Sequence, residues 1–537
     1  MIDKTKFFSY VLLLTVGFVF SSQSLATNGD FQNTINQLAT KNLKTKLQVV
    51  EAIIDSANSK VEFVLQSLLE GKVYYIKNNK KVVLATKEKK EYLVKELLSG
   101  NSLGKFSKHQ LKKVGINNRI RQKIKAGLSM LNLKHADETV RLQAVKNTYK
   151  DINAVIFKKI ETLIQVEDSD KVRDAMLVLM NIYRLNDTDS SVRIKAINDL
   201  SENLEPIVKN KLIRLKDNDQ NLEVRIEAEK SLKNINSEIS FFKNLETVFF
   251  GISFGSVLIL AAIGLAITFG VMGVINMAHG ELIMLGAYTT YVVQLLMPNN
   301  IGMSIFAAIP AAFVVSGFVG IIIQTGIIRH LHGRPLETLL ATFGVSLVLR
   351  QIVRTIFSPL NRSVETPDWM SGAIEINGVL SLTWNRLYII VFCLIVFAAL
   401  ITILKKTSLG LQVRAVSQDR NMARAMGVRS NWVDAMTFGL GSGIAGIAGV
   451  ALSQLTNVGP NLGQAYIIDS FMVVVFGGVG NLWGTLIGGF GLGVINKFME
   501  PWVGAVLAKV LILIFIILFI QKRPRGLFPQ KGRSAGD

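Results

Sequence analysis

Hydrophobic and polar residues change their rhythm once along this chain, near residue 243. Before that point apolar residues recur at three- and four-residue spacing among Lys, Glu, Asp and Asn. That is the period of helices with one face on a core. One stretch departs from it: the β-prone runs 73–76 and 82–84 flank a polar turn at Asn78 and Asn79, which predicts a hairpin. Beyond residue 243 the polar residues thin out. Apolar runs follow at 248–270, 281–297, 303–328, 336–357, 386–404, 434–455, 466–480, 482–499 and 503–521, most of them reaching the ~20 residues that carry a helix across a bilayer. The runs 466–480 and 482–499 are short and glycine-rich and form either a tight membrane hairpin or a re-entrant pair. The expected fold class is all-α. It is a polytopic transmembrane helical bundle of about eight or nine spans with broken or re-entrant Gly-rich helices, preceded by a soluble α-helical domain.

The first residues form a targeting pattern. Lys4 and Lys6 precede the apolar run 7–20, and Ser24, Leu25 and Ala26 offer a small-x-small cleavage site before Thr27. This matches a signal peptide over 1–26; an uncleaved anchor is the alternative. Cleavage places the helical domain 27–240 outside the cytoplasm. That domain holds a weak internal repeat. Val140-Arg141…Ala144, Val192-Arg193…Ala196 and Val224-Arg225…Ala228 each follow an acidic turn, and Val172-Arg173 is a looser copy. An Asp or Ser caps a helix, Val faces a core, Ala lets helices approach, and Arg ties one unit to the next. The pattern predicts a short HEAT-like solenoid, an architecture that presents binding surfaces. The Asp-x-Asp turns lack the twelve-residue calcium loop, so capping explains them.

Composition narrows the function. The formal net charge is +21, but the basic residues are scattered among acids or lie in short loops between apolar runs, with no aromatic-interleaved stripe for nucleic acid. The single cysteine, Cys393, sits in an apolar run, so neither an intrachain disulfide nor a thiolate metal site is expected. Loop charges set orientation. Arg329 to Arg334, Lys405 to Arg429, and Lys522 to Arg525 are basic and belong in the cytoplasm, whereas loop 358–384 carries Glu365, Asp368 and Glu375 against Arg362. Nine crossings, N-terminus out and C-terminus in, satisfy all of these loops.

Three segments exceed a generic membrane bundle. Residues 264–288 hold Gly264, Thr268, Gly270, Gly273, Asn276, His279, Gly280 and Glu281. Ionisable groups are costly in hydrocarbon, and a broken helix would aim free backbone groups near Asn276 at a cavity. Alternatively His279 and Glu281 sit at the cytoplasmic interface and orient the hairpin. Residues 476–489 repeat the theme: Phe476-Gly477-Gly478-Val479-Gly480 echoes Phe269-Gly270 and Gly273, as two halves of an inverted repeat would. The third segment, 407–428, contains Ser408, Gly410, Arg414, Ala415, Asp419 and Gly427. Asp419 caps a short helix that Gly427 ends, and Leu411, Ala415, Met422 and Met426 share a face. Such an amphipathic element either docks a partner or lies on lipid.

Together these segments, with Gly477-Gly478-Val479-Gly480 and the terminal Arg525-Gly526-Leu527-Phe528, resemble the branched-chain amino acid permease family of ABC importers over 245–530. Gly333-Arg334-Pro335 through Thr342 and Asn385-Arg386-Leu387-Tyr388 are similar to its LivH-like subgroup that carries urea, whose members often have a HEAT-like extension after a signal peptide. Phe343 stands where that subgroup has Trp. The resemblance implies a permease subunit, not an enzyme, in the bacterial inner membrane with its N-terminal domain periplasmic. It implies a heterodimer with a second permease, two cytoplasmic ATPase subunits, a periplasmic substrate-binding protein, and no cofactor, metal or nucleic acid. No phosphate loop occurs in the sequence. Urea needs hydrogen-bonding groups without fixed charge, so the implied pathway residues are Thr268, Asn276, Asn481 and Thr485 with His279 and Glu281 beside them. The helix-breaking glycines are Gly270, Gly273, Gly280, Gly477, Gly478 and Gly480. The implied ATPase-coupling loop is Ser408, Gly410, Arg414, Ala415, Asp419 and Gly427. Alternatives are a permease for branched-chain or other amino acids, and a membrane sensor with a solenoid ligand-binding domain.

Overall fold

In a computed structural model, residues 30–528 are described, except 57, 89, 90 and 332. The expected signal peptide lies outside the described residues. The chain separates into two units, one ending at Asn236 and the other beginning at Ser237.

The first unit opens with helices α1 (Leu43–Asp55) and α2 (Val61–Leu69). An antiparallel sheet follows, built from β1 (Val73–Ile76), β2 (Val82–Glu88), β3 (Glu91–Glu96), β4 (Ser102–Phe106) and β5 (Leu111–Lys113), in the order β4-β3-β2-β1-β5. The all-α expectation is therefore corrected: the hairpin at 73–84 is the centre of a five-stranded sheet. Its two faces alternate with period two, as a pleat requires. Val73, Tyr75, Val82 and Leu84 join the core of α1, α2 and α3 (Asn118–Asn132). Tyr74, Ile76, Val83, Ala85, Val94 and Leu111 form a second cluster on the other face. The Lys- and Glu-rich strands β3 to β5 are held by pairing across the sheet, which a local helical period cannot register.

The rest of this unit is helical: α4 (Glu138–Thr148), α5 (Ala154–Leu163), α6 (Asp170–Arg184), α7 (Ser190–Asp199), α8 (Pro206–Asn218) and the first turns of α9 (Leu222–Met272). Asp137, Ser169 and Asp189 cap α4, α6 and α7 through side-chain oxygens. The repeated arginines act across helices. Arg141 Nη2 donates to Glu167 Oε1 at 2.7 Å, while its Nη1 donates to the carbonyls of His135 and Ala136. Arg193 repeats this with Asp219 at 2.9 Å and the carbonyls of Asp187 and Thr188. Each reaches an acid 26 positions ahead. Arg173 stays local, pairing with Asp170 and the Glu167 carbonyl. The hydrogen bond from Arg141 holds the Glu167 carboxyl below its usual range, against an opposing push from burial.

The second unit runs through the remainder of α9, then α10 (His279–Leu296), α11 (Ile301–Gly326), α12 (Pro335–Phe357), α13 (Trp384–Lys406), α14 (Ser408–Gln418), α15 (Arg420–Ala425), α16 (Ser430–Ser453), α17 (Leu462–Gly477), α18 (Leu482–Val503) and α19 (Ala505–Lys522). A short hairpin, β6 (Ala373–Glu375) with β7 (Ser381–Thr383), lies between α12 and α13. Among the described residues, α9, α11, α12, α13, α16 and α19 are each long and apolar enough to cross a membrane. The shorter α17 is apolar as well.

Helix α16 is the hub. Almost every residue from Val433 to Ser453 is buried, and its glycines let backbones touch. A Cβ on Gly446 would stand 2.5 Å from the Ala312 carbonyl of α11, and one on Gly441 would stand 2.7 Å from the Gly264 carbonyl of α9. Gly286 of α10 meets Gly446, and Gly449 meets the Ile283 carbonyl. Helices in lipid associate by such contact because hydrocarbon supplies no hydrophobic drive between them.

Two outcomes follow. E167Q should lower the stability of the helical array by about 2 kcal/mol at neutral pH, since it replaces a charge-assisted hydrogen bond to a partly buried arginine with a neutral one. A carboxyl with a depressed folded pKa stabilises above its unfolded value, near 4.3, and loses that contribution as pH falls through the folded value. The gap between wild type and variant should therefore close below about pH 4, as read by hydrogen exchange of peptides from α4 to α8. In the second unit, G446V should abolish a monodisperse detergent-solubilised protein, whereas G491A, which meets open space, should leave its elution profile unchanged.

Candidate functional site

Helix α9 stops at Met272 because Gly273 takes a left-handed φ of +66°, where a side chain would be strained. The chain then crosses a short non-helical stretch before α10 begins at His279. Asn276 organises this break. Its Oδ1 accepts from the Ala278 amide at 3.0 Å, and its carbonyl accepts from the His279 amide. Asn276, His279 and Glu281 are all at most 2% exposed.

Helix α12 completes the site. Thr342 Oγ1 accepts from the Met277 amide at 3.2 Å. Ser346 Oγ and Arg350 Nη2 both donate to Glu281 Oε1, at 2.9 and 2.8 Å. His279 Nε2 donates to the Ala261 carbonyl at 2.8 Å. Within this cluster Asn276 Nδ2, His279 Nδ1, Glu281 Oε2 and Arg350 Nε have no partner among the described residues. Seven further buried side-chain atoms among the described residues are likewise unpartnered, but here four fall in one cluster.

The sequence-derived residues thus divide. Asn276, His279, Gly280 and Glu281 come together at the break, with Gly280 against the Gly463 backbone of α17. Thr268 does not join them: its hydroxyl donates to the Gly264 and Leu265 carbonyls of its own helix, and its methyl faces Gly441. Asn481 and Thr485 belong to the turn between α17 and α18. Asn481 Oδ1 caps α18 by accepting from the Gly484 amide, its Nδ2 donates to the Phe528 carbonyl, and Thr485 donates back to the Asn481 carbonyl. In the same turn, Leu527 and Phe528 donate their amides to the Phe476 and Gly477 carbonyls, pinning the C-terminal segment there. Gly478 and Gly480 take φ of +107° and +79°. A Cβ on Gly270 would lie 2.5 Å from Gly480 Cα, so the two Phe-Gly motifs meet backbone to backbone.

Thr342, Ser346 and Arg350 were missed by sequence reasoning. The signal was present: Thr338, Thr342, Ser346, Arg350 and Arg354 recur every fourth residue through an apolar run, a polar stripe on one helix face. Two further ion pairs, Asp434 with Arg420 and Asp469 with Lys509, also neutralise buried carboxylates.

A second site is the elbow α14–α15. Thr407 and Asp419 cap the two helices, and Gly427 ends the second with φ of +87°. Gly410 packs directly on the Leu404 backbone. Arg414 donates to the Leu404 carbonyl, Arg420 to Asp434, and Arg424 Nε to Ser430 Oγ, so the elbow is braced to both α13 and α16. Val413, Val416 and Ala423 turn inward with Val433, and Ala415 packs beside them. Leu411, Met422 and Met426 are 62%, 62% and 79% exposed.

Residues 247–520 match the protein family described as branched-chain amino acid transport system / permease component. BraD of Pseudomonas aeruginosa, a high-affinity branched-chain amino acid transport system permease protein, is 29% identical over 286 residues, covering 52% of this chain and 93% of BraD. LivH of Escherichia coli K12, of the same description, is 28% identical over 298 residues, covering 53% and 96%. The ribose import permease protein RbsC of Escherichia coli K12 is 28% identical over 255 residues, covering 45% and 74%. No solved structure matches the chain.

The buried pair predicts a characteristic pattern. E281A alone should cost about 3–5 kcal/mol by stranding Arg350, and the E281A/R350A double variant should recover part of that loss, read as apparent Tm in detergent.

Proposed function

This chain belongs to the family of branched-chain amino acid transport permease components, as a permease subunit of an ABC importer, and from that premise we propose that it carries urea. It pairs with a second permease across the pathway, receives substrate from a periplasmic binding protein, and is driven by two cytoplasmic ATPases. It resides in the bacterial inner membrane, with its basic loops and elbow in the cytoplasm and the HEAT-like 27–240 domain on the periplasmic side.

The observation that carries this reading is the cluster at the α9–α10 break. Its charges are already paired with each other, while neutral or internally compensated atoms stay unpartnered: the amide of Asn276, the Nδ1 of His279, one oxygen of Glu281 and the Nε of Arg350. Urea presents one carbonyl acceptor and four N–H donors and carries no charge, so it can answer such donors and acceptors without breaking an ion pair. An amino acid would need separate counter-charges for its carboxylate and ammonium, and the buried ionic groups nearby are consumed in pairs. The motifs at 333–342 and 385–388 favour urea as well. A second reading, transport of branched-chain amino acids, is favoured by the descriptions of BraD and LivH.

The elbow converts ATPase motion into helix motion. Braced at both ends, α14–α15 moves as one body with α13 and α16. Leu411, Met422 and Met426 offer an apolar surface for the ATPase. Arg414, bound to the Leu404 carbonyl, braces the elbow from within.

Labelled-urea uptake by a deletion strain supplied with all subunits tests the substrate. Saturable urea uptake that excess leucine leaves intact is the expected result; leucine uptake without urea uptake would establish the amino acid reading instead. M426D with L411D should abolish urea uptake and ATPase co-purification at normal membrane expression, while R414E should reduce uptake with the complex still assembled.

A further inference from the structure

A groove of about 1170 Å³ runs between α1, α2, α3, α4 and the start of α5 in the first unit. It exceeds the roughly 300–1,000 Å³ of ordinary small-molecule pockets. Five cations line it: Arg119, Lys123, Lys125, Lys146 and Lys150, against only Glu51 and Asp151. Lys123 pairs with Glu51, and Lys146 with Glu205. No ion pair holds Arg119, Lys125 or Lys150 among the described residues, and all three are exposed. Between the charges stand carboxamides, Gln122, Asn132 and Asn147 among them, over aliphatic side chains such as Leu47, Leu69 and Val140.

We propose that this groove is a docking site for an extended acidic segment of a partner protein. The chemistry selects that occupant. Carboxamides both donate and accept, which suits the alternating N–H and C=O groups of a peptide backbone. The excess of three positive charges suits carboxylates, and the aliphatic patches accommodate intervening side chains. No aromatic residue lines the groove, so it offers no stacking platform for nucleobases. Complementary charge also speeds encounter over a screening distance of about 8 Å at physiological salt. The groove lies wholly within the first unit, so its role stands apart from substrate choice in the membrane.

The test uses the full chain in detergent and a fluorescein-labelled ten-residue peptide of alternating Asp and Gly, followed by anisotropy. Saturable binding is expected, weakened by added salt and lost when Asn replaces Asp in the peptide. R119E/K150E should weaken binding about tenfold or more, since several exposed charge contacts are reversed together. K195E/K216E, exposed positions outside the groove, changes the net charge equally and should leave binding within about twofold. Equal weakening by both double variants would mean the peptide senses only the overall charge and would overturn the proposal. So would equal affinity for the Asp and Asn peptides, or no binding of either. Unchanged far-UV circular dichroism shows that each variant is folded.

Discussion

The membrane unit depends on close contact between helix backbones. Lipid tails are as apolar as leucine, so helices in hydrocarbon gain little by burying one another and must instead fit. The glycines of α16 meet α9, α10 and α11 at distances where an added Cβ would collide with backbone atoms. The same device joins Gly270 to Gly480, Gly280 to Gly463 and Gly477 to Gly484. Helices brought this near leave little room for water, and a polar group between them needs a partner in the protein.

That condition sorts the polar side chains. Thr268, Thr290 and Ser470 return their hydroxyls to their own helices, and Asn481 secures a turn and the C-terminal segment. Carboxylates deep in the unit each meet a cation: Glu281 with Arg350, Asp434 with Arg420, Asp469 with Lys509. At the α9–α10 break four donors and acceptors stay unanswered among the described residues while Glu281 and Arg350 are matched. Removing a helical turn there exposes backbone groups, which Asn276 and Thr342 collect. The break is thus held by its own Asn276 and by Thr342 of α12. In the elbow, by contrast, Arg414, Arg420 and Arg424 bind the Leu404 carbonyl, Asp434 and Ser430, while Leu411, Met422 and Met426 stay exposed.

Much of the membrane unit was legible because its determinants are local. Nine apolar runs fall on the nine helices from α9 to α13 and α16 to α19. The capping of α15 by Asp419 and its end at Gly427 follow from residue type alone. The repeated Val-Arg pairs of the first unit announced that arginine would tie neighbouring elements, and Arg141 and Arg193 do so. The five-stranded sheet was legible only at its first hairpin. Strands β3 to β5 carry Lys, Glu and Ser that read as helical or turn-forming, and their state is fixed by partners on adjacent strands.

By itself, then, the sequence determined where the apolar helices lie, where they break and which loop forms a capped elbow, because hydropathy, glycine and capping act within a few residues. Tertiary structure decided which polar residues share a site. Glu281 finds Ser346 and Arg350 across 65 and 69 positions, Thr268 turns away from them, and Asn481 goes to a turn beside the C-terminal segment. Those assignments depend on helix rotation and on which backbones a missing Cβ lets approach. Both are properties of packed pairs of helices and of no single one.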